Sequence, residues 1–377
     1  MQAAGGKRTI RVLVVDDSAT ARAALQQILA TDEQFLVVGV AEDGSEAVQM
    51  VPATRPDVVI MDIHMRDMDG FEATRLIMEQ NPVPIVILST LVSPDRMENT
   101  FRALDAGAVA ALEKLKGPGH PDFPRTAAKL LTTIKLMSEV KVVRRSRQTG
   151  KAPVPAAQEK SLVTPSGGDA EALLRGRETK LVAMGASTGG PPVLREILSS
   201  LPANFPVPIV VVQHITPGFL DGMVQWLSRE CSLAVRIAGH GEAAEAGTVY
   251  FAPDGRHLGI DKNGRLVLSD APPVNGLKPS VSWFFFSFFE AYGPRSTGVL
   301  LTGMGKDGSL ELKELKDRGA VTIAQDKESS VVHGMPGYAI CMGGASLVCS
   351  PGEIAEFLLA QARGGGRRLP YPSSRTG

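Results

Sequence analysis

The sequence of 377 residues has little cysteine, few aromatic residues and no net charge. Its three cysteines, Cys231, Cys341 and Cys349, show no C-x-x-C spacing, which argues against a disulfide framework or a zinc site. Lys and Arg total 40 and Asp and Glu also total 40, so no overall electric field favours nucleic acid or a membrane surface. Reduced thiols fit a cytoplasmic protein, and we expect that location.

Long hydrophobic runs are also missing. The most apolar window is "WFFFSFFE", residues 283–290, and it is far too short to span a bilayer, which takes about 20 residues. It therefore predicts a buried helix, and no direct insertion into a membrane is expected. The first residues, "MQAAGGKRT", are polar, so we expect no secretory signal.

The chain length predicts two domains, and both halves have an α/β rhythm. Between residues 9 and 143, five apolar runs alternate with amphipathic segments, and the same alternation returns at Lys180. The fold class predicted is α/β, with two doubly wound domains and mainly parallel sheets. The boundaries predicted are 7–137 and 179–364 for the domains, 138–178 for a linker rich in Ala, Pro, Gly and charge, and 365–377 for a disordered tail.

Carboxylates follow two predicted strands of the first half. Asp16 and Asp17 end "VLVVDD", and Asp62 ends "DVVIMD". Strand ends around the switch point of a parallel sheet share one crevice, so these carboxylates repel one another unless a cation neutralises them. Oxygen ligands of this kind suit Mg²⁺, and a carboxylate beside Mg²⁺ can accept a phosphoryl group. Ser89 and Lys114, after the fourth and fifth strands, add a hydroxyl and a cation.

This pattern resembles the receiver domain of two-component response regulators over residues 9–137. The resemblance implies a flavodoxin-like fold and phosphorylation of Asp62 by a histidine kinase. It implies that Asp16, Asp17 and Asp62 hold Mg²⁺ and that Ser89 and Lys114 sense the phosphoryl group. Two positions depart from the family: Arg66 and Leu115 replace its usual prolines. Because a cis peptide bond before a non-proline residue costs about 3 kcal/mol, we expect the bond before Leu115 to be trans.

The second half contains G-x-S-x-G in "GASTG", with Ser187 between an apolar strand and a helix, as a nucleophile elbow requires. His214 ends "PIVVVQH" and Asp307 follows "VLLTGMGK", again after predicted strands. These three residue types can form a nucleophile, a general base and an orienting acid. The order Ser, His, Asp differs from that of α/β-hydrolases, which predicts a different fold.

A dinucleotide site is the alternative for this glycine-rich turn. Its fingerprint needs G-x-G-x-x-G, whose second glycine lets the backbone approach the pyrophosphate. Ser187 stands at that position, and its side chain would obstruct the approach.

Taken together, "GASTGG", "VVQHI..GF", "VYFAPDGRHL", "LTGMGKDG" and "GMPGYAI" resemble the catalytic domain of chemotaxis protein-glutamate methylesterases. With the receiver, this resemblance covers residues 9–364. It implies a Rossmann-like esterase domain with the triad Ser187, His214 and Asp307, and an oxyanion hole formed by the backbone amides of Thr188 and Met304. Ser282 stands where the family often has aspartate.

The resemblance further implies the substrate and its regulation. The substrate is a glutamate methyl ester on the cytoplasmic part of a chemoreceptor, hydrolysed without a cofactor, with deamidation of receptor glutamines as a second reaction. The family's receiver covers the catalytic cleft until it is phosphorylated. Two other functions are open: a receiver with a non-catalytic output domain that binds a partner, and a DNA-binding regulator. The second half has no basic recognition helix, so no nucleic-acid partner is expected.

Overall fold

We describe the protein from a computed structural model, which describes residues 8–90, 94–142 and 179–362. These residues form two compact units, one on each side of the gap at 143–178. Most of the predicted linker and the whole predicted tail, residues 365–377, lie outside the described residues. No helix in the described ranges is long and apolar enough to cross a membrane.

The first unit is a five-stranded sheet of parallel neighbours in the order β2-β1-β3-β4-β5. This is the flavodoxin-like order, so the predicted fold of this unit is confirmed. Strands β3 and β4 are buried along their whole length, as expected where helices cover both faces. The elements are β1 Ile10–Val15, α1 Ala19–Leu29, β2 Phe35–Ala41, α2 Gly44–Thr54, β3 Val58–Asp62, α3 Gly70–Gln80, β4 Ile85–Ser89, α4 Pro94–Ala106, β5 Ala110–Glu113 and α5 Phe123–Met137.

The second unit is a seven-stranded parallel sheet in the order β14-β13-β12-β6-β7-β9-β8, with a separate antiparallel pair, β10 and β11. Its strands are β6 Leu181–Ala186, β7 Ile209–Gln213, β8 Ala234–Ile237, β9 Thr248–Phe251, β10 His257–Ile260, β11 Leu266–Ser269, β12 Ser296–Leu300, β13 Val321–Gln325 and β14 Leu347–Cys349. Its helices are α6 Gly190–Ser199, α7 Leu220–Glu230, α8 Val281–Tyr292, α9 Ser309–Asp317, α10 Met335–Cys341 and α11 Pro351–Ala362.

The strand order of the second sheet reverses at its centre. Strand β6 lies between β7 and β12, and the chain builds outward from β6 first in one direction and then in the other. In such a sheet, ligands bind beyond the carboxyl ends of the strands at this reversal. The doubly wound, mainly parallel fold predicted for this half is confirmed, and the reversal defines where its site is expected.

The aromatic window forms helix α8, but only part of it is buried. Phe284, Phe285 and Phe288 are fully buried against the sheet, whereas Phe286 is 59% exposed. The prediction of a buried helix is therefore correct for one face. Because side chains four residues apart lie on the same face, Phe284 and Phe288 pack inward together while Phe286 points away from them.

Candidate functional site

The acidic cluster of the first unit lies where the sequence predicts it. Asp16 follows β1 and Asp62 ends β3, and both are buried, while Asp17 is exposed. Their carboxylate oxygens lie within 4.8 Å of one another. The backbone N–H of Ser18 donates to Asp16 Oδ1 at 2.9 Å, which orients that carboxylate. Three hard oxygen ligands at this spacing fit a divalent cation such as Mg²⁺.

Lys114 joins this cluster from the end of β5. Its Nζ lies 2.8 Å from Asp16 Oδ2 and 2.7 Å from Asp62 Oδ2. The Lys114 ammonium therefore bridges the two buried carboxylates. Burial raises the pKa of Asp62 to about 6, although Lys114 acts in the opposite direction. The single positive charge of Lys114 therefore does not balance the negative charge of the buried carboxylates, and a second cation would stabilise them.

Ser89 lies beside Lys114 at the end of β4. Its carbonyl accepts from the Lys114 backbone N–H at 2.9 Å, and its buried hydroxyl accepts from Thr100 Oγ1 at 2.9 Å. The only cis peptide bond in the described ranges precedes Pro279, so the bond before Leu115 is trans, as expected. Arg66 is exposed in the loop after β3.

The three residues proposed for catalysis follow neighbouring strands of the second sheet. Ser187 follows β6, His214 follows β7 and Asp307 lies in the loop after β12. The strand registers align Ala186 with Gln213 and Gly185 with Leu300, so these chain segments leave the sheet at the same edge. This edge includes the reversal between β6 and β12. The structure thus brings the three predicted residues to one end of the sheet.

His214 and Asp307 are in contact. His214 Nε2 lies 2.9 Å from Asp307 Oδ2, within ion-pair distance but without the alignment of an ideal hydrogen bond. The contact through Nε2 leaves Nδ1 as the ring nitrogen available to a nucleophile. The chymotrypsin-type arrangement uses the two nitrogens the other way round.

The beginning of α8 holds the Asp307 carboxylate. Ser280 Oγ donates to Oδ1 at 2.8 Å, Val281 N to Oδ2 at 2.6 Å and Ser282 N to Oδ1 at 3.1 Å. Burial alone would raise the pKa of Asp307, but the contacts with His214, Ser282 and Val281 outweigh it and lower the pKa to about 2. Asp307 is therefore ionised at neutral pH, and the N-terminus of a helix favours that negative charge.

Ser282 makes two further contacts that the sequence did not reveal. Its hydroxyl donates to Glu311 Oε2 at 2.7 Å and accepts from Gly308 N at 2.9 Å. It therefore connects α8 to the residue after Asp307 and to the first turn of α9. The motif "KPSVSW" signals a helix start, with Ser280 as the N-cap, but nothing in it indicates that this start surrounds Asp307.

The turn formed by residues 187–190, here called the serine turn, has no room for a side chain at Gly189. Gly189 has φ +78°, and a Cβ atom there would lie 2.6 Å from Val331 Cβ. Ser187 N donates to Thr302 O and Gly303 N donates to Val332 O, so these two amides are occupied.

The next amide along each of these two loops belongs to a residue predicted to form the oxyanion hole. Neither Thr188 N nor Met304 N donates to another backbone group in the described part of the chain. Both amides therefore remain available for a ligand oxygen.

Comparisons with known proteins identify two families along the chain. The response regulator receiver domain family matches residues 12–119, and the CheB methylesterase family matches residues 182–358. A protein-glutamate methylesterase/protein-glutamine glutaminase of Syntrophus aciditrophicus is 49% identical over 94% of this chain and 98% of its own length. One from Nitrosospira multiformis is 48% identical over 93% of this chain and 96% of its own length. The crystal structure of the Thermotoga maritima CheB methylesterase catalytic domain is 40% identical, covers 48% of this chain and 98% of its own, and gives a TM-score of 0.47.

Proposed function

Because the chain belongs to the protein-glutamate methylesterase/protein-glutamine glutaminase family, we propose that it hydrolyses glutamate methyl esters on chemoreceptors and releases methanol. The observation that supports this most is the placement of Ser187, His214 and Asp307 at one edge of the second sheet, with His214 Nε2 2.9 Å from Asp307 Oδ2. The substrate is a neutral ester and the product an ionised glutamate.

In the mechanism, Ser187 is the nucleophile. His214 accepts the Ser187 proton at Nδ1, since Nε2 faces Asp307. Asp307 holds the imidazole in the tautomer with a proton on Nε2 and stabilises the imidazolium that forms. Asp307 suits this role because Ser280, Val281 and Ser282 keep its carboxylate ionised and in place.

The ester carbonyl becomes a tetrahedral oxyanion when Ser187 attacks it. The backbone N–H groups of Thr188 and Met304 stabilise this oxyanion, and a donor of this kind contributes about 3 kcal/mol in comparable sites. His214 then protonates the leaving methoxide, and methanol departs. Water, deprotonated by His214, hydrolyses the acyl-serine to glutamate. The same steps on a glutamine side chain release ammonia, which accounts for deamidation as a second reaction. No cofactor takes part in these steps.

The first unit regulates this activity. A chemotaxis histidine kinase phosphorylates Asp62, and Asp16, Asp17 and Asp62 would hold the Mg²⁺ ion that this reaction uses. When bound, Mg²⁺ neutralises the charge that the carboxylates and the incoming phosphoryl group bring together. Lys114 then pairs with the phosphoryl oxygens, and Ser89 donates a hydrogen bond to them. These changed contacts shift the receiver between two states, and phosphorylation raises the esterase rate. With these partners, the proposed location is the cytoplasm.

The direct test is methanol release from methylated receptor membranes incubated with the full chain. We expect release by the wild type, a further rise with acetyl phosphate and Mg²⁺, and loss of release in Ser187→Ala. Ser199→Ala, at the exposed end of α6, is the matched control and keeps the wild-type rate. Full release by Ser187→Ala would exclude the serine mechanism, and no release by the wild type would favour an output domain that only binds a partner.

A further inference from the structure

Gln213, the residue before the proposed base, connects the two halves of the catalytic centre. It ends β7 and is 4% exposed. Its Nε2 donates to the backbone carbonyl of Ser187 at 2.8 Å and to that of His214 at 2.8 Å. One side-chain amide thus links the main chain of the proposed base to that of the proposed nucleophile, which lies 26 residues before Gln213 in sequence.

The orientation of this amide follows from its neighbours. Both contacts at Nε2 are carbonyl oxygens, which can only accept hydrogen bonds, so the NH₂ group has to face them. The Ser187 carbonyl also accepts from Gly190 N at 2.8 Å, and both of its lone pairs are therefore used. The serine turn is held by two donors at the same oxygen.

The backbone hydrogen bonds between β6 and β7 do not reach Ser187. Pairing of β6 with β7 ends at Ala186 and Gln213, and the last ladder bond runs from His214 N to Ala186 O at 2.9 Å. Ser187 lies one residue beyond that bond. The side-chain amide of Gln213 extends the hydrogen-bonded connection between these two segments by one residue, to Ser187.

The two ends of the Gln213 side-chain amide have different surroundings, since only its Nε2 is hydrogen-bonded. Gln213 Oε1 accepts no hydrogen bond in the described part of the chain. An apolar side chain of similar size would leave that acceptor out, but it would also remove the donor that Gln213 supplies to the carbonyls of Ser187 and His214. The fold also makes room for the amide: a Cβ atom on Gly190 would lie 2.1 Å from Gln213 Oε1.

From these contacts, we propose that Gln213 is a positioning residue that fixes the distance between Ser187 and His214. The inference rests on the proposed function of those two residues. A displacement of reacting groups by about 1 Å can lower a rate by about 100-fold. Because Gln213 is buried and its amide bonds main-chain carbonyls, we expect its loss to reduce kcat and leave KM unchanged.

The test compares Gln213→Met with Gln361→Met in the full chain, with methylated receptor membranes as substrate. Both glutamines are buried, but Gln361 bonds Thr297 near the opposite end of β12. We expect a kcat lower by roughly 10- to 100-fold in Gln213→Met. The KM of Gln213→Met should stay within about twofold of the wild-type value. In Gln361→Met, both kcat and KM should stay within about twofold of the wild-type values. Full kcat in Gln213→Met, or an equal loss in Gln361→Met, would overturn the proposal.

Gln213→Glu gives a second readout that does not depend on the stability of the methionine variant. A protonated carboxyl can donate one hydrogen bond to the carbonyls, and an ionised one can donate none and repels both. We therefore expect its kcat, relative to wild type at the same pH, to be higher near pH 6 than near pH 8. A ratio independent of pH would contradict the role of the donor. Absence of methanol release by the wild type would refute the proposed function itself. The inference about Gln213 alone would be refuted if the wild type is active, Ser187→Ala is inactive and Gln213→Met is fully active.

Discussion

Replacing Asp307 by asparagine tests the electrostatic design of the second site. The carboxylate receives Ser280 Oγ and Ser282 N on Oδ1, and Val281 N and His214 Nε2 on Oδ2. An asparagine side chain has to place its NH₂ group on one of these two sides. A backbone N–H of α8 then faces another donor, whichever way the amide turns. One buried donor without an acceptor costs about 1–3 kcal/mol, and we expect the free energy of unfolding to fall by that amount at neutral pH.

Asp307→Asn should also remove the contribution of Asp307 to the pH dependence of folding stability. The pKa of Asp307 falls from its ordinary 3.8 to about 2 in the folded protein, and at about 1.4 kcal/mol per tenfold change this is roughly 2 kcal/mol. Because the folded-state pKa is lowered, this stability is fully present above about pH 4 and is lost as the pH falls towards 2. Asparagine does not titrate, so the stability difference between wild type and Asp307→Asn should shrink over that range.

The assay is urea unfolding at several pH values, together with methanol release at neutral pH. We expect kcat to fall by about 10⁴-fold, the size of the effect when a triad aspartate becomes an amide in chymotrypsin-type enzymes. A stability difference that stays constant from neutral pH to about pH 2, or a variant with near-normal kcat, would refute the assignment of an ionised Asp307 to the base.

Three further predictions concern single contacts. Asp62→Asn should keep the basal rate of methanol release but lose its rise with acetyl phosphate and Mg²⁺; an equal rise would exclude Asp62 as the phosphoacceptor. Gly190→Ala should lower the free energy of unfolding by about 1–3 kcal/mol, because its Cβ would collide with Gln213 Oε1; an unchanged urea midpoint would contradict this packing. Ser282→Ala should lower that free energy by about 1–3 kcal/mol, because the buried Gly308 N–H loses its acceptor and Glu311 loses its donor. Ser282→Thr should restore it, and an unaltered alanine variant would count against the network.

The strand ends could be predicted from the sequence because they depend on local patterns. Apolar runs such as "IVILS" and "IVVVQ" are buried on both faces, and parallel strands all end at the same edge. Ser187, His214 and Asp62 could therefore be placed at carboxyl ends without coordinates. Strands β8, β9 and β14 are not among the predicted strands, since β8 alternates exposed and half-buried residues and β9 and β14 have only four and three residues. The pair β10 and β11 is also too short for a clear period.

The contacts that surround the predicted residues could not be predicted in this way. Ser280 and Ser282 reach Asp307 across 27 and 25 residues, and this contact depends on where α8 begins relative to the loop after β12. Gln213 reaches Ser187 only because β6 and β7 pair in one particular register. Register and helix placement are long-range properties, and a short motif contains no information about them.

The most direct test of the catalytic site is a double-variant cycle on methanol release, with Ser187→Ala, His214→Ala and both together. Residues that act as one unit give strongly non-additive losses. We predict that each single substitution lowers kcat to the same residual rate and that the double variant is no slower than either. Losses that multiply in the double variant, or a single variant that retains full release, would contradict the proposal that Ser187 and His214 act together.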